Sequence, residues 1–544
     1  MSGQWRKPAW LTGDEGLLRV GPGTGGDEEH TCPSHAAAKA RPALWSAERL
    51  RLPKPEQETF TLGPVMDAID RVEFDGEGVE RALAELGSRT PALHPGHLTY
   101  VEHAVRKYLD VQAGGGEGPA ALRPVRPYWV AQRENGRFWE MYAWWRRYES
   151  PDGRVREYRR LRHGVAKGSQ PGEIAIAVYV AVHGRTAAWP RKWGRRFQPY
   201  GPASRPERVR VIEIGLADGK DAVQFDGTAE DAEAYFTEHG RAHVSRVVAG
   251  GDPVPGSSCI DCKQFTGCDA VTRTPGVLGL TSRVAPLRKV SASDLRYHRT
   301  CPAQEFLRSL HLPKSDEYGS SAKLGQAVHG WIEALHGREG RPACTVADMP
   351  GEGENWTGGR WRVGDDDASV GREMLLHHVD ACPFQDTALV DRVEAEALRV
   401  VHDTAAQALV VAKPDLLYRE DGSWVWRELK TTRKRRWYHQ DLLDEFPQLA
   451  LAVALLARGA LGGDPAGSRI EVEVLRPDGS DLNIIDPTDP GRLEKALSVL
   501  RALAGPWRVD DAHEARPGPH CQWCPVSRWC PSAAPGERVT EGDV

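Results

Sequence analysis

Two segments of the chain share one pattern of alternating apolar and polar residues. The segments RVRVIEIGLADGKDAV (208–223) and RIEVEVLRPDGSDLNI (469–484) each begin with an alternation and continue into a turn around Asp-Gly. Because side chains alternate between the two faces of a strand, this period of two predicts a β-strand before each turn. A helix-like stretch and a compact group of cysteines follow each segment. The recurrence predicts two copies of one domain.

A further apolar run predicts a buried strand followed by a hairpin. Ala408–Ala412 has the length of a buried strand, and Glu420–Ser423, with the sequence EDGS, predicts the hairpin turn. In the SWVWRELK stretch after the turn, the period of two puts four residues on one face. They are Trp424, Trp426, Glu428 and Lys430. Asp415, in the preceding KPD, can therefore point to the same locus as Glu428 and Lys430.

Two carboxylates beside an ammonium group suggest a metal-dependent hydrolytic site. Carboxylate oxygens are the ligands that Mg²⁺ and Mn²⁺ prefer. A neighbouring lysine can orient the attacking water or stabilise charge on a phosphate. The alternative is an ordinary hairpin whose Glu and Lys form a solvated pair, because an Asp followed by Glu-x-Lys is short and common.

Helical periodicity adds two more candidates. The segment SSAKLGQAVHGWIEALHG (320–337) has apolar residues at helical spacing, with Gly337 placed to end the helix and His329 beside the apolar stripe. A second helix is predicted to begin at Pro447, which places Gln448 in its first turn. Taken alone, such a histidine is more often a packing or surface residue, and such a glutamine is usually solvated.

The ten cysteines suggest metal ligation. The triplets Cys259, Cys262, Cys268 and Cys521, Cys524, Cys530 share one spacing, and each half also has an early Cys-Pro, at Cys32 and at Cys301. We therefore predict two four-cysteine sites that join the two ends of each domain. Four thiolates suit an iron–sulfur cluster or zinc, and the long separation of the first ligand favours the cluster. Cys344 and Cys382 have no counterpart in the first half.

Composition and charge restrict the remaining possibilities. The chain has 544 residues, enough for two or more domains, and a net charge of −5, so any nucleic-acid surface must be a local patch. No signal peptide is visible, and the apolar runs are too short to span a bilayer. We expect a cytoplasmic protein with no membrane partner, in which cysteines stay reduced. The predicted domains are residues 1–275 and 276–544.

The order of these elements in the second half is Cys-Pro, helical His, PD, ExK, helical Gln and CxxCx5C. Over residues 290–531 this order resembles the RecB-like branch of the PD-(D/E)xK nuclease superfamily. More narrowly, it is similar to the iron–sulfur members, the AddB-type recombination nucleases and the CRISPR-associated exonucleases. The resemblance implies an α/β fold of two restriction-endonuclease-like domains, each a mixed central sheet flanked by helices and joined by a four-cysteine cluster.

The resemblance also implies roles for individual residues. His329, Asp415 and Glu428, with the carbonyl of Leu429, would bind Mg²⁺ or Mn²⁺. Lys430 would be the catalytic lysine, and Gln448 would match the glutamine of the family's QxxxY motif, although Ala452 stands at the tyrosine position. A [4Fe–4S] cluster would be bound by Cys301, Cys521, Cys524 and Cys530. By the internal repeat, a second would be bound by Cys32, Cys259, Cys262 and Cys268.

The expected substrate is DNA, preferably single-stranded. The basic residues Arg433, Lys434, Arg435 and Arg436 directly follow the site, and Trp437 and Tyr438 offer faces for unstacked bases. The activity would be that of an exonuclease or a single-strand-preferring nuclease in DNA repair, recombination or anti-phage defence. A helicase or a defence-complex partner is compatible with such an activity.

The first half lacks the acidic residues of this site. Superposing the Asp-Gly turns puts Arg159 at the position of Glu428 and Leu161 at that of Lys430, with no aspartate matching Asp415. We predict a degenerate nuclease-like domain whose arginines and aromatic residues either bind DNA or pack into an ordinary sheet. The rival interpretation of the whole chain is a non-catalytic nucleic-acid-binding scaffold built from two degenerate nuclease folds.

Overall fold

The computed structural model of the protein describes most of the chain. The described ranges are residues 5–26, 31–46, 55–114, 122–281, 285–315, 320–340, 342–385, 390–433 and 441–533. They form two compact units, of which unit 1 comprises Met1–Ala270, Ala303–Ser315 and Asp511–Val544, and unit 2 comprises Val271–Pro302 and Asp316–Asp510. The units are thus discontinuous in sequence. The predicted domain boundary between residues 275 and 276 stays a prediction.

Unit 2 is built on a five-stranded mixed sheet, called the site sheet below. In spatial order its strands are Val390–Ala395, Leu416–Glu420, Ser423–Thr431, Arg469–Arg476 and Gly479–Ile485. The third and fourth strands are parallel, and the other neighbours are antiparallel. A parallel pair needs a crossover connection, and here the helix Pro447–Ala457 lies within it. The predicted strand at 469 and the helix start at Pro447 are confirmed.

The hairpin at the centre of the site sheet turns through Asp421 and Gly422. Both residues have positive φ, 48° and 79°, between the paired residues Glu420 and Ser423. A two-residue hairpin with this backbone twist requires left-handed conformations, which Gly and Asp adopt at low cost. The predicted turn is therefore confirmed, and it fixes which side chains of Ser423–Thr431 point to which face.

Helices cover both faces of the site sheet. On one face Trp424 and Trp426 pack in a core with the helices Pro447–Ala457 and Pro490–Val509. On the other face Val425 and Leu429 pack with the helices Ser320–His336 and Asp365–Ala381, whose apolar residues share a second core. The predicted helix over 320–337 is confirmed, ending one residue before Gly337.

The apolar run Ala408–Ala412 forms a strand, as predicted, but in a different sheet. That four-stranded sheet of unit 2 has the order Thr272–Arg273, Arg399–Asp403, Ala408–Ala412 and Arg288–Ser291. Pro414 separates this strand from the site sheet, since proline lacks the N–H that a sheet ladder needs. Unit 2 also contains the strand pair Trp356–Gly358 and Trp361–Val363 and the helices Ala292–Thr300 and Leu442–Glu445.

Unit 1 contains a second five-stranded sheet with the same order and directions. Its strands are Arg123–Pro124, Arg146–Glu149, Val155–Arg162, Arg208–Gly215 and Asp221–Thr228. The third and fourth strands are again parallel, with the helix Pro171–His183 in the crossover. The strand predicted from residue 208 is confirmed.

The rest of unit 1 is a smaller sheet, a strand pair and helices. The four-stranded sheet has the order Leu17–Val20, Arg137–Tyr142, Tyr128–Asn135 and Arg185–Ala187, and the pair is Leu11–Gly13 with Leu44–Ser46. The helices are Pro33–Lys39, Leu62–Asp75, Val79–Ala84, Pro95–Gly114, Ala229–Tyr235 and Arg241–Ala249, together with Pro302–Ser309 after its first residue. Among the described residues, no helix combines the length and apolar character needed to cross a bilayer.

Candidate active site

Asp415 is the residue around which the candidate site is organised. It directly precedes the strand Leu416–Glu420 and directly follows Pro414, which separates this strand from the strand of the neighbouring sheet. The N–H of Leu429 donates to its Oδ2 at 2.7 Å, and its Oδ1 lies 3.1 Å from Nδ1 of His329. The adjacent strand and the helix Ser320–His336 therefore both hold this carboxylate.

The strand Ser423–Thr431 presents Glu428 and Lys430 on one face, as the period of two predicts. The ammonium of Lys430 donates to Oε2 of Glu428 and to the carbonyl oxygen of Leu429, each at 2.9 Å. The indole N–H of Trp426 donates to Oε1 of Glu428 at 3.0 Å. Both oxygens of the Glu428 carboxylate are thus fixed by neighbours on its own strand.

These residues open onto one cleft of about 650 Å³ in unit 2. His329, Asp415, Glu428, Lys430 and Gln448 all line it. Gln448 lies in the first turn of the helix Pro447–Ala457, as predicted. Further polar groups on the wall are Ser291, Ser293, Gln326, Glu333, Arg360, Glu396 and Lys413.

The charges of the site are mutually dependent. Burial opposes ionisation of Asp415, but the charge of His329, its hydrogen bond and the charge of Lys430 together lower the pKa of Asp415 to about 2. Burial raises the pKa of Glu428, against the opposing effect of Lys430. Burial would lower the pKa of Lys430, yet Glu428 and Asp415 raise it. The ammonium therefore stays charged between two acids.

This arrangement offers a set of hard oxygen donors. Carboxylate oxygens come from Asp415 and Glu428, and the carbonyl of Leu429 belongs to the strand that carries Glu428. Such oxygens suit Mg²⁺ or Mn²⁺, and the adjoining ammonium suits a phosphate or its attacking water.

Comparison with known proteins agrees with this chemistry. Residues 289–531 match the family model described as the PD-(D/E)XK nuclease superfamily. This segment belongs to the PD-(D/E)XK nuclease superfamily. Membership implies a metal-dependent, nuclease-type activity that uses Mg²⁺ or Mn²⁺, with DNA as the suggested substrate.

Similarity to a solved structure is weak. The solved structure titled "Crystal structure of SSO0001" is 14% identical, covers 47% of this chain and 90% of its own, and has a TM-score of 0.21. A likeness at that TM-score supports no argument. No curated protein matches the chain.

The predicted cysteine ligands of the first half lie together in unit 1. The Cys262 thiol interacts electrostatically with those of Cys259, Cys32 and Cys268, and burial raises its pKa to about 12. The sulfur of Cys32 accepts N–H bonds from His35 and Val254 at 3.4 and 3.3 Å. For the second half, Cys301 falls in unit 2, whereas Cys521, Cys524 and Cys530 fall in unit 1.

Of the basic and aromatic residues that follow the site and are predicted to contact nucleic acid, the structure describes Arg433. Lys434, Arg435, Arg436, Trp437 and Tyr438 lie outside the described residues, while Arg433 pairs with Asp367. In unit 1, Arg156 is almost fully buried and bound to the carbonyl of Ala181, and Arg159 stacks on Tyr148 at 3.8 Å. These arginines serve internal packing, which favours the ordinary-sheet interpretation of that strand.

One group of metal-ligating side chains in the PD-(D/E)XK domain was not foreseen. His336, Cys344, His378 and Cys382 converge in unit 2, all buried. Cys344 and Cys382 have no counterpart in the first half, and no ligand role was predicted for His378. The His378-x3-Cys382 spacing places both residues on one side of the end of the helix Asp365–Ala381, and this spacing is the signal that could have revealed the group.

Proposed function

We propose that the chain is a metal-dependent deoxyribonuclease whose catalytic domain is the PD-(D/E)XK segment. The single observation that carries the proposal is the convergence of His329, Asp415, Glu428 and Lys430 on one cleft. These four ionisable groups come from a helix, from the start of one strand and from the interior of another. Packing of apolar side chains alone does not explain why they meet. Such a cluster is costly unless it has a function.

The donor set fits the divalent cation that the superfamily uses. His329, Asp415, Glu428 and the carbonyl of Leu429 would hold it, and the wall of the cleft adds Glu333 and Glu396. When bound, a divalent cation supplies a water of lowered pKa and neutralises charge on the scissile phosphate.

The protein's own residues supply positioning and protons. Lys430 reaches both Glu428 and the Leu429 carbonyl, so its ammonium can orient a water or stabilise charge that develops on phosphate. The N–H of Leu429 and the ring of His329 hold Asp415 in one orientation. Trp426 does the same for Glu428, and Gln448 offers an amide to the substrate.

We infer an exonuclease or a single-strand-preferring nuclease, acting in the cytoplasm in DNA repair, recombination or anti-phage defence, with a helicase or a defence complex as partner. The basic run after Arg433 and the cleft's Arg360 and Lys413 support a phosphate-rich substrate.

We further propose that unit 1 contains a degenerate copy of the nuclease fold and that each half holds a [4Fe–4S] cluster. The matching order of the two five-stranded sheets supports the first statement. The gathered thiols of Cys32, Cys259, Cys262 and Cys268, with backbone N–H groups directed at two of the sulfurs, fit a cluster. The second cluster, with Cys301, Cys521, Cys524 and Cys530, stays a prediction from the sequence.

The test is cleavage of end-labelled single-stranded DNA under single-turnover conditions with Mn²⁺. Asp415→Ala and Lys430→Ala are each expected to lower the rate by about 10³-fold or more, since each removes a group acting on the reacting atoms. Lys495→Ala, which removes a surface lysine of unit 2 paired with Asp444, is the matched control and should retain the rate. Equal rates in all four proteins would instead support the non-catalytic scaffold.

A further inference from the structure

Behind the candidate active site, four buried side chains place their ligand atoms around one point. The imidazoles of His336 and His378 and the thiols of Cys344 and Cys382 have ligand atoms that all lie within 4.8 Å of one another. The Nε2 atoms of the two histidines are 3.2 Å apart. Two nitrogens bound to one tetrahedral Zn²⁺ at about 2.05 Å would be separated by about 3.3 Å.

The surroundings of His378 orient it as a ligand. Its Nδ1 lies 2.8 Å from Oε1 of Glu473, so a proton on Nδ1 leaves the lone pair of Nε2 directed at the other three groups. Glu473 is fully buried and is also bound by Arg427, at 2.6 Å. A carboxylate that fixes the tautomer of a histidine ligand is the usual outer partner in zinc sites.

The two cysteines are also arranged as ligands. The backbone N–H of Cys344 donates to the sulfur of Cys382 at 3.4 Å, and the two thiol groups are hydrogen-bonded to each other. Both thiols are free of disulfide bonds. The thiol of Cys382 also hydrogen-bonds to His336 and His378, so one sulfur contacts all three other members of the group.

We propose that His336, Cys344, His378 and Cys382 form a structural Zn²⁺ site of the Cys₂His₂ type. Two thiolates and two neutral imidazoles suit Zn²⁺ in tetrahedral coordination, and the soft sulfur ligands exclude Mg²⁺. The complex is electrically neutral because the thiols release two protons on binding, and a neutral complex suits a buried position. All four side chains are nearly inaccessible, which matches a closed structural site.

The position of the site gives it a function in the domain. His336 lies two helical turns beyond His329 on the helix Ser320–His336, and His378 lies near the end of the helix Asp365–Ala381. The outer partner Glu473 binds Arg427, which neighbours Glu428 on the site sheet. The zinc would thus fix two helices against the sheet and position the His329 helix without touching substrate.

The test measures metal directly, in the full chain. Protein purified without added metal is expected to contain about one Zn²⁺ per chain beyond any zinc in the four-cysteine sites. Cys382→Ser and Cys344→Ser should each lose this equivalent, whereas Cys262→Ser, which changes a predicted cluster ligand, should keep it. After exchange with Co²⁺, the protein should show the visible absorption of tetrahedral cobalt with thiolate ligands, and Cys382→Ser should not.

X-ray absorption at the zinc edge of the unaltered protein keeps the proposal testable if the variants fail to fold. Two sulfur ligands at about 2.3 Å and two nitrogen ligands at about 2.05 Å are expected. Protein that contains no zinc and takes up no Co²⁺ in tetrahedral form would overturn the proposal, as would zinc with four sulfur ligands only. These measurements do not depend on DNA cleavage, so the zinc site and the nuclease proposal can fail separately.

Discussion

The two five-stranded sheets of the chain have one topology and two different chemistries. In the site sheet, the strand Ser423–Thr431 directs Trp426, Glu428 and Lys430 to the face covered by the crossover helix. In unit 1, the corresponding strand directs Arg156, Tyr158 and Arg160 to its crossover helix. One strand order therefore accommodates different side chains on the face that the crossover helix covers.

The central strands of the two sheets also correspond differently from the match predicted through their Asp-Gly pairs. Superposing the Asp-Gly pairs matched Arg159 with Glu428, but Arg159 lies on the face away from the crossover helix, over Tyr148. The turn of unit 1 has four residues between the bonded Ser150 and Val155, whereas that of unit 2 has two between Glu420 and Ser423. A displacement of one residue moves every side chain of a strand to the other face.

The largest expected effect is on the cleavage rate, measured for substitutions at Glu428 and Tyr158. These two residues face the crossover helices of the two sheets. Glu428→Gln removes a charge from the site and should lower the single-turnover cleavage rate by about 10²–10³-fold. Tyr158→Phe should leave that rate unchanged. Among the described residues the Tyr158 hydroxyl has no hydrogen-bond partner, so its loss should not destabilise unit 1.

Both rates are measured on the same labelled single-stranded DNA with Mn²⁺. A comparable loss in the two variants would show that unit 1 takes part in cleavage, which would end the contrast between the sheets.

The next effect concerns the thiols of unit 1. Cys262→Ser should remove about four of about eight irons per anaerobically purified chain, because one [4Fe–4S] cluster would lose a ligand. Iron and acid-labile sulfide analysis measures this change, and Cys344→Ser, which lies outside the predicted clusters, should keep all of the iron. A colourless protein containing only zinc would replace the cluster hypothesis with zinc sites.

A smaller effect is expected from the ion pair of Arg160 with Glu173 on the unit 1 helix. The two side chains are 16% and 9% exposed, so Arg160→Met leaves a largely buried carboxylate without its partner. The free energy of unfolding should fall by about 3 kcal/mol, measured by urea denaturation, with cleavage by the folded protein unchanged.

The matched control is Arg154→Met, whose exposed side chain pairs with Asp152 and Glu207. Its free energy of unfolding should change far less than that of Arg160→Met, because water screens an exposed ion pair. Equal losses in the two variants would mean that Arg160 does not compensate the Glu173 charge.

The smallest effect tests the orientation of Glu428. Trp426→Phe removes the indole N–H that binds Oε1 of Glu428, and a loss of about 1 kcal/mol corresponds to a rate decrease of about fivefold. Trp424→Phe removes a similar bond, to the carbonyl of Leu461, and should not change the rate. If the two variants behave alike, Trp426 contributes only packing.

Local patterns predicted several helices, strands and turns in the two units. Alternation identified the strands at 208 and 469, helical spacing identified the segment of His329, and EDGS identified the turn. Each of these is fixed by neighbours a few residues away, so a sequence pattern is sufficient. The assignment of Ala408–Ala412 to its own sheet was not predictable, because an apolar run does not indicate which partner strand it will join.

The sequence by itself determined the residues of the site sheet hairpin, including the common face of Glu428 and Lys430, because strand alternation and turn geometry are local. Only the tertiary structure brought His329 to Asp415 and gathered His336, Cys344, His378 and Cys382 in one place. Those contacts join residues far apart in the chain, and they form when helices pack onto a sheet to bury apolar faces. The His378-x3-Cys382 spacing indicates two of these ligands, but no spacing rule encodes the packing that adds His336 and Cys344.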